Sequence, residues 1–142
     1  MRNVGTRLVQ AALAIGGSVV LVMTVAAGTA TAATARNGVC EVGEFCLYWG
    51  LGRTGSVSDF NGSIPDYGNS QPTCYEFKGP GTGQGECVKN NAASAWNRTT
   101  ANTVTVYFNS GYGGSSDVFT PGQAKDLNNT FLENASHKFV HI

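Results

Sequence analysis

Thr103-Val104-Thr105-Val106-Tyr107-Phe108-Asn109-Ser110-Gly111-Tyr112-Gly113-Gly114-Ser115 decides how this chain folds. Its first half alternates Thr with Val and ends on an aromatic pair, the pattern of a β-strand. Its second half, Asn-Ser-Gly and then Gly-Gly, supplies residues that take positive φ at little cost. Tyr112 follows Tyr107 by five residues, and Gly114 comes two later. That spacing predicts a hairpin folded back over its own strand, with a ring packed on the turn.

The same intervals occur earlier. Tyr48, Arg53 and Gly55 repeat Tyr107, Tyr112 and Gly114 at an offset of 59 residues, and Ser56 and Phe60 match Ser115 and Phe119. Arg53 stands where the second copy has an aromatic, so the first copy is the weaker one. Two copies of a strand with a folded hairpin imply a duplicated motif.

Residues 1–35 are expected to be a secretory signal rather than part of the fold. Arg2 and Arg7 precede a mostly apolar run from Leu8 to Ala27, and small residues follow. Ala30-Thr31-Ala32 and Ala33-Thr34-Ala35 both fit cleavage, near 32/33 or 35/36. The run is close to a membrane span in length, but its Gly and Ala content and the cleavage site favour removal. The expectation is a secreted, extracellular chain with no membrane attachment after cleavage, and a single domain over 36–142.

Without Arg2 and Arg7, seven basic side chains face nine acidic ones, a net charge of about −2. No clustered basic face offers itself to nucleic acid. Short apolar runs separated by Gly, Ser, Thr and Asn point to an all-β domain. The four cysteines, Cys40, Cys46, Cys74 and Cys87, are an even number in a small secreted domain and so read as disulfides. Three connectivities are open. Cys40–Cys46 with Cys74–Cys87 is favoured, because each pair brackets a short turn-rich segment.

Strands are expected at Phe45–Tyr48, Val57–Phe60, Thr73–Phe77 and Phe139–Val140, with a turn at Val42-Gly43-Glu44. Lys78 to Glu86 carries Gly79, Gly81, Gly83 and Gly85 and reads as an exposed loop with a flexible tip. The segment around it is an insertion relative to the second motif. Trp96 is expected in the core. Enzyme signatures are missing: there is neither Gly-x-Ser-x-Gly nor His-Glu-x-x-His. Asp59, Asp66, Glu76 and Glu86 are expected to be solvated loop acids rather than a catalytic pair.

Cys40-x5-Cys46-Leu47-Tyr48, the Tyr107-x4-Tyr112-x-Gly114 unit, and Asn90-Asn91-x-x-Ser94 followed by Trp96 together resemble secreted actinobacterial proteins of peptidase inhibitor family I36. The resemblance covers nearly all of residues 38–140. It implies a βγ-crystallin-like sandwich of two Greek-key motifs, stapled by two disulfides. It also implies a non-catalytic protein that inhibits an extracellular protease, with metalloproteases the first candidates; the chain itself is expected to be a monomer. The family's disulfide-anchored loop, whose reactive bond precedes an apolar residue, maps onto Phe77, Lys78, Glu86, Cys87 and Val88. No cofactor is required. The microbial βγ-crystallins imply a weak Ca²⁺ site at Asn90, Asn91 and Ser94, with hard oxygen ligands; the alternative is that Ser94 and Ser136 only seal the two hairpins. The rival function is an extracellular structural or binding module with weak calcium affinity.

Overall fold

The structure, a computed structural model, describes residues 32–142. The expected signal lies outside the described residues as far as residue 31. The folded unit runs from Ala33 to Ile142. It contains seven strands: β1 (Phe45–Gly50), β2 (Thr54–Phe60), β3 (Ser94–Asn97), β4 (Asn102–Asn109), β5 (Gly113–Phe119), β6 (Ala124–Asp126) and β7 (Ser136–His141). No helix among the described residues is long and apolar enough to cross a membrane.

The strands form two antiparallel sheets, in the orders β2-β1-β3-β6 and β5-β4-β7. β6 belongs to the second motif by sequence, yet it pairs with β3 of the first. The reciprocal crossing in the first motif is reduced to one bridge, between Ile64 and His137 of β7. Each motif therefore lends its third segment to the other motif's sheet, which is the Greek-key exchange that welds the halves together.

The duplication is visible in the backbone. Ladder register breaks between Tyr48 and Gly50 in the first hairpin and between Tyr107 and Asn109 in the second. Arg53 (φ 60°) and Gly55 (φ 76°) are left-handed, as are Tyr112 (φ 65°) and Gly114 (φ 82°). The Tyr107 and Tyr112 rings pack edge to face at 5.9 Å. A left-handed arginine or tyrosine is uncommon, so tertiary contacts must hold each one.

Period-2 alternation sends Phe45 and Leu47 of β1 and Val104 and Val106 of β4 into the space between the sheets. Phe60, Phe119, Tyr67, Phe77 and Val88 complete that core. Within it His137 is fully buried and joined on both ring nitrogens: Nδ1 to the Tyr67 hydroxyl and Nε2 to the Gly62 carbonyl, each at 2.8 Å. Nε2 donates to the carbonyl, so Nδ1 accepts from Tyr67. Burial lowers the ring's pKa to about 3.

Two expectations fail. Thr73–Phe77 is not a strand, and only Glu76 and Cys87 form a bridge there. Val88 N–H bonds to Tyr75 O, and Phe77 N–H to Glu86 O, so the segment pairs with Glu86–Val88 only around that single bridge, while Tyr75 N–H turns to Tyr67 O. Trp96 is not in the core. It lies half-buried on the outer face, in register with Cys46 and Ala124.

Candidate functional site

Asn61 to Ala93 joins β2 to β3 and carries the insertion. The disulfides are Cys40–Cys46 and Cys74–Cys87. Within the insertion, Lys78 to Glu86 is exposed but not loose. Lys78 and Gly79 both donate to Val57 O (2.9 and 3.0 Å), and Ser56 N–H donates to Thr82 O (2.9 Å). Gly85 N–H reaches Phe77 O, and Gln71 Nε2 donates to Gly85 O at 2.6 Å. The Ser56 hydroxyl donates to Gly79 O. Gly81, Gly83 and Gly85 are left-handed, and a Cβ on Gly83 would run into the Trp49 ring. The expected flexible tip is therefore corrected: the turn is fastened along β2, and at Gly83 a larger residue would meet the Trp49 ring.

The loop residues named from the sequence divide. Lys78 and Glu86 are exposed. Phe77 and Val88 are wholly buried, which overturns any direct contact with a partner. Phe77 packs edge to face on Trp49 at 5.6 Å, and Val88 N–H bonds to Tyr75 O at 2.8 Å. Both belong to the apolar core beneath the insertion. The Cys87–Val88 bond is thus part of the support, and Cys87 itself is partly covered.

The residues suggested for calcium are engaged elsewhere. The Ser94 hydroxyl donates to Gly50 O (2.6 Å) and accepts from Arg53 N–H (2.9 Å). Ser136 makes the same pair with Asn109 O (2.7 Å) and Tyr112 N–H (3.2 Å). Each serine seals one folded hairpin. Asn90 is left-handed (φ 62°), with its N–H on Asn134 O, and Asn91 Nδ2 donates to Cys87 O. Asn134 ties the motifs further, accepting from Ala92 N–H and donating to Val88 O.

An N-terminal arm escaped sequence reasoning. The Arg36 guanidinium lies over Phe60 at 4.3 Å and donates to Ser58 Oγ, Asp59 O and Glu76 O at 2.7–2.8 Å. Asp59 is buried, not solvated: its carboxylate accepts from Asn37 N–H (2.9 Å) and Gly38 N–H (2.7 Å). Glu44 is also fully buried, with Oε2 on Glu41 N–H and Oε1 unpartnered. Burial, assisted by nearby Asp59, pushes its carboxyl up to about 7. The one available signal was the pleat: Asp59 stands opposite Cys46, whose disulfide partner begins the arm's return.

The architecture defines a βγ-crystallin domain. A solved βγ-crystallin domain from work on the evolution of the eye-lens fold superposes with a TM-score of 0.53 at 12% identity, over 80% of this chain and 95% of that one. The N-terminal domain of protein S gives 0.52 at 10%, over 70% and 97%. A βγ-crystallin from Ciona intestinalis gives 0.48 at 17%, over 68% and 98%. No curated protein matches the chain. The sequence profile of peptidase inhibitor family I36 matches residues 33–119, and the chain belongs to that family. Membership places it among inhibitors of peptidases rather than among enzymes.

Proposed function

We propose that this chain is a secreted inhibitor of an extracellular protease, with metalloproteases the first class to test, and that the Lys78–Glu86 turn is its main inhibitory surface. The observation that carries the reading is the fastening of that turn: an exposed insertion held by backbone bonds to β2 and by the Cys74–Cys87 disulfide. A loop already fixed in shape loses little entropy on docking.

Gly81, Gly83 and Gly85 hold φ between 89° and 125°. Protease clefts that read an extended chain by strand addition cannot accept such a backbone. The turn therefore docks as a shaped knob, and obstructs the cleft without being threaded as a substrate.

The experiment is an inhibition assay against a thermolysin-type metalloprotease and a subtilisin-type serine protease, with Thr82→Arg as the variant. Thr82 is exposed and bonds through its carbonyl, so the larger side chain leaves the wrap intact. Inhibition by wild type and its loss in T82R is the expected result. Equal inhibition by the two would move the surface elsewhere.

A further inference from the structure

We propose that the outer face of the β1–β3 sheet, around Val42, Trp96, Arg53 and Arg98, is a second docking surface, and that it takes a carboxylate-bearing loop of the inhibited protease. That the partner is a protease rests on the preceding reading; that it is acidic does not.

Charge is the first ground. The Arg53 and Arg98 guanidinium groups each lie over the Trp96 indole, 4.5 Å from its centroid. Neither forms an ion pair among the described residues; Arg36, Lys125 and Lys138 are unpaired there too, but none of them shares its ring with a second cation. Two cations without an ion pair thus share one indole in a chain that is not basic overall. The fold does not demand both. Arg98 comes four residues after Ser94, and the residue four after Ser136 is the exposed Val140.

Rigidity is the second ground. The Cys40–Cys46 disulfide closes a tight loop beside Trp96. Gly43 N–H bonds to Arg98 O, Arg98 N–H to Glu44 O, and Arg98 Nη1 to Cys40 O, all at 2.8–2.9 Å. Asp59 pins the backbone just before it. The loop nevertheless presents Val39 and Val42 to solvent, 55% and 62% exposed. Apolar knobs beside Trp and Arg, on a backbone already ordered, have the composition of an interface hot spot.

Position is the third. An open depression of about 420 Å³ is lined by Val42, Trp96, Arg98, Thr100 and Pro121, with room for an acidic side chain. The chain leading into the disulfide loop abuts the insertion: a Cβ on Gly38, two residues before Cys40, would lie 2.9 Å from Gly79 N. One partner can therefore touch the turn and this face together.

The test is titration of the same two proteases with wild type, Val42→Asp and Arg98→Gln, each shown folded by circular dichroism. Both variants should weaken inhibition by about tenfold. R98Q should also flatten the salt dependence of the association rate. If wild type inhibits and both variants match it, this surface is overturned while the inhibitory reading stands. If wild type inhibits neither protease, the inhibitory reading falls, and poly-L-glutamate decides the acidic partner through the Trp96 indole resonance. A shift in wild type that R98Q abolishes supports the surface. No shift, or tighter binding of heparin than of poly-L-glutamate, overturns it.

Discussion

Arg53 lies over Trp96 in the first motif, and the second motif makes the same contact with the partners exchanged: Lys138 lies over Tyr112 at 5.3 Å. Arg53 and Tyr112 hold the same left-handed place in their hairpins. Trp96 and Lys138 each stand two residues after the sealing serine. A cation and a ring cap each hairpin, and which strand supplies which is interchangeable.

That exchange is measurable. In a double-mutant cycle of Arg53→Ala and Trp96→Ala, the coupling energy from urea unfolding should be about 0.5–1 kcal/mol, the range for an exposed cation–π pair. Additive single effects would show that the two groups merely sit side by side.

Ser94→Ala should cost about 1–3 kcal/mol, because two part-buried hydrogen bonds, one to the Gly50 carbonyl and one from the Arg53 amide, are lost together. Ser136→Ala should cost a similar amount in the second hairpin. Thermal melts of the two variants beside wild type give the answer; a loss confined to one of them would mean that the hairpins are not sealed alike.

Calcium should leave the melting temperature unchanged up to ~1 mM, the upper end of the weak extracellular range. The Ser94 hydroxyl is already held by Gly50 O and Arg53 N–H, which leaves it a single lone pair to offer a metal, and no group of three His, Cys, Asp or Glu side chains that could hold an ion stands among the described residues. A rise in melting temperature below that concentration, lost in Asn90→Ala, would instead support a calcium site there.

The duplicated hairpins were legible in sequence because left-handed backbone is chemically restrictive: Gly55 and Gly114 announce themselves, and the serines follow at fixed intervals. The favoured disulfides were legible because each closes a short turn-rich loop. Burial was not. Val88 follows an anchored cysteine and Phe77 opens a glycine-rich loop, but local spacing does not say that Trp49 and Tyr67 roof the same space. Asp59 and Glu44 look like surface acids until the arm from Arg36 to Cys40 covers them, and that arm was assigned a boundary rather than a role. Trp96 was misplaced because its aromatic bulk was weighed without its register opposite Cys46.

Glu44→Gln should change the pH dependence of stability. The Glu44 carboxyl titrates at about 7 in the fold against 4.5 when unperturbed, so its contribution is full below 4.5 and is lost as pH rises through 7. His137 runs the other way, from 6.5 down to about 3, and its contribution is lost as pH falls through that window. The stability of E44Q relative to wild type should therefore increase from pH 4.5 to above 7, with His137 common to both. A difference that stays constant across that range would place the Glu44 proton elsewhere.

Gly83→Ala should destabilise by about 1–3 kcal/mol, since the added methyl meets the Trp49 ring and the backbone is left-handed. Near-ultraviolet circular dichroism of the tryptophan band should change with it. An unchanged band and unchanged stability would mean that the turn is not wrapped on Trp49.

The most direct measurement is a titration of a thermolysin-type metalloprotease with the purified chain, reading residual hydrolysis of a small peptide substrate, before and after reduction of the disulfides. A preorganised inhibitor should abolish activity with a Kd of about 1 μM or tighter, in the range of specific protein complexes, and reduction should weaken it as Cys74–Cys87 opens. Full protease activity at about 100 μM of folded, oxidised chain, with a subtilisin-type serine protease equally unaffected, would contradict the account.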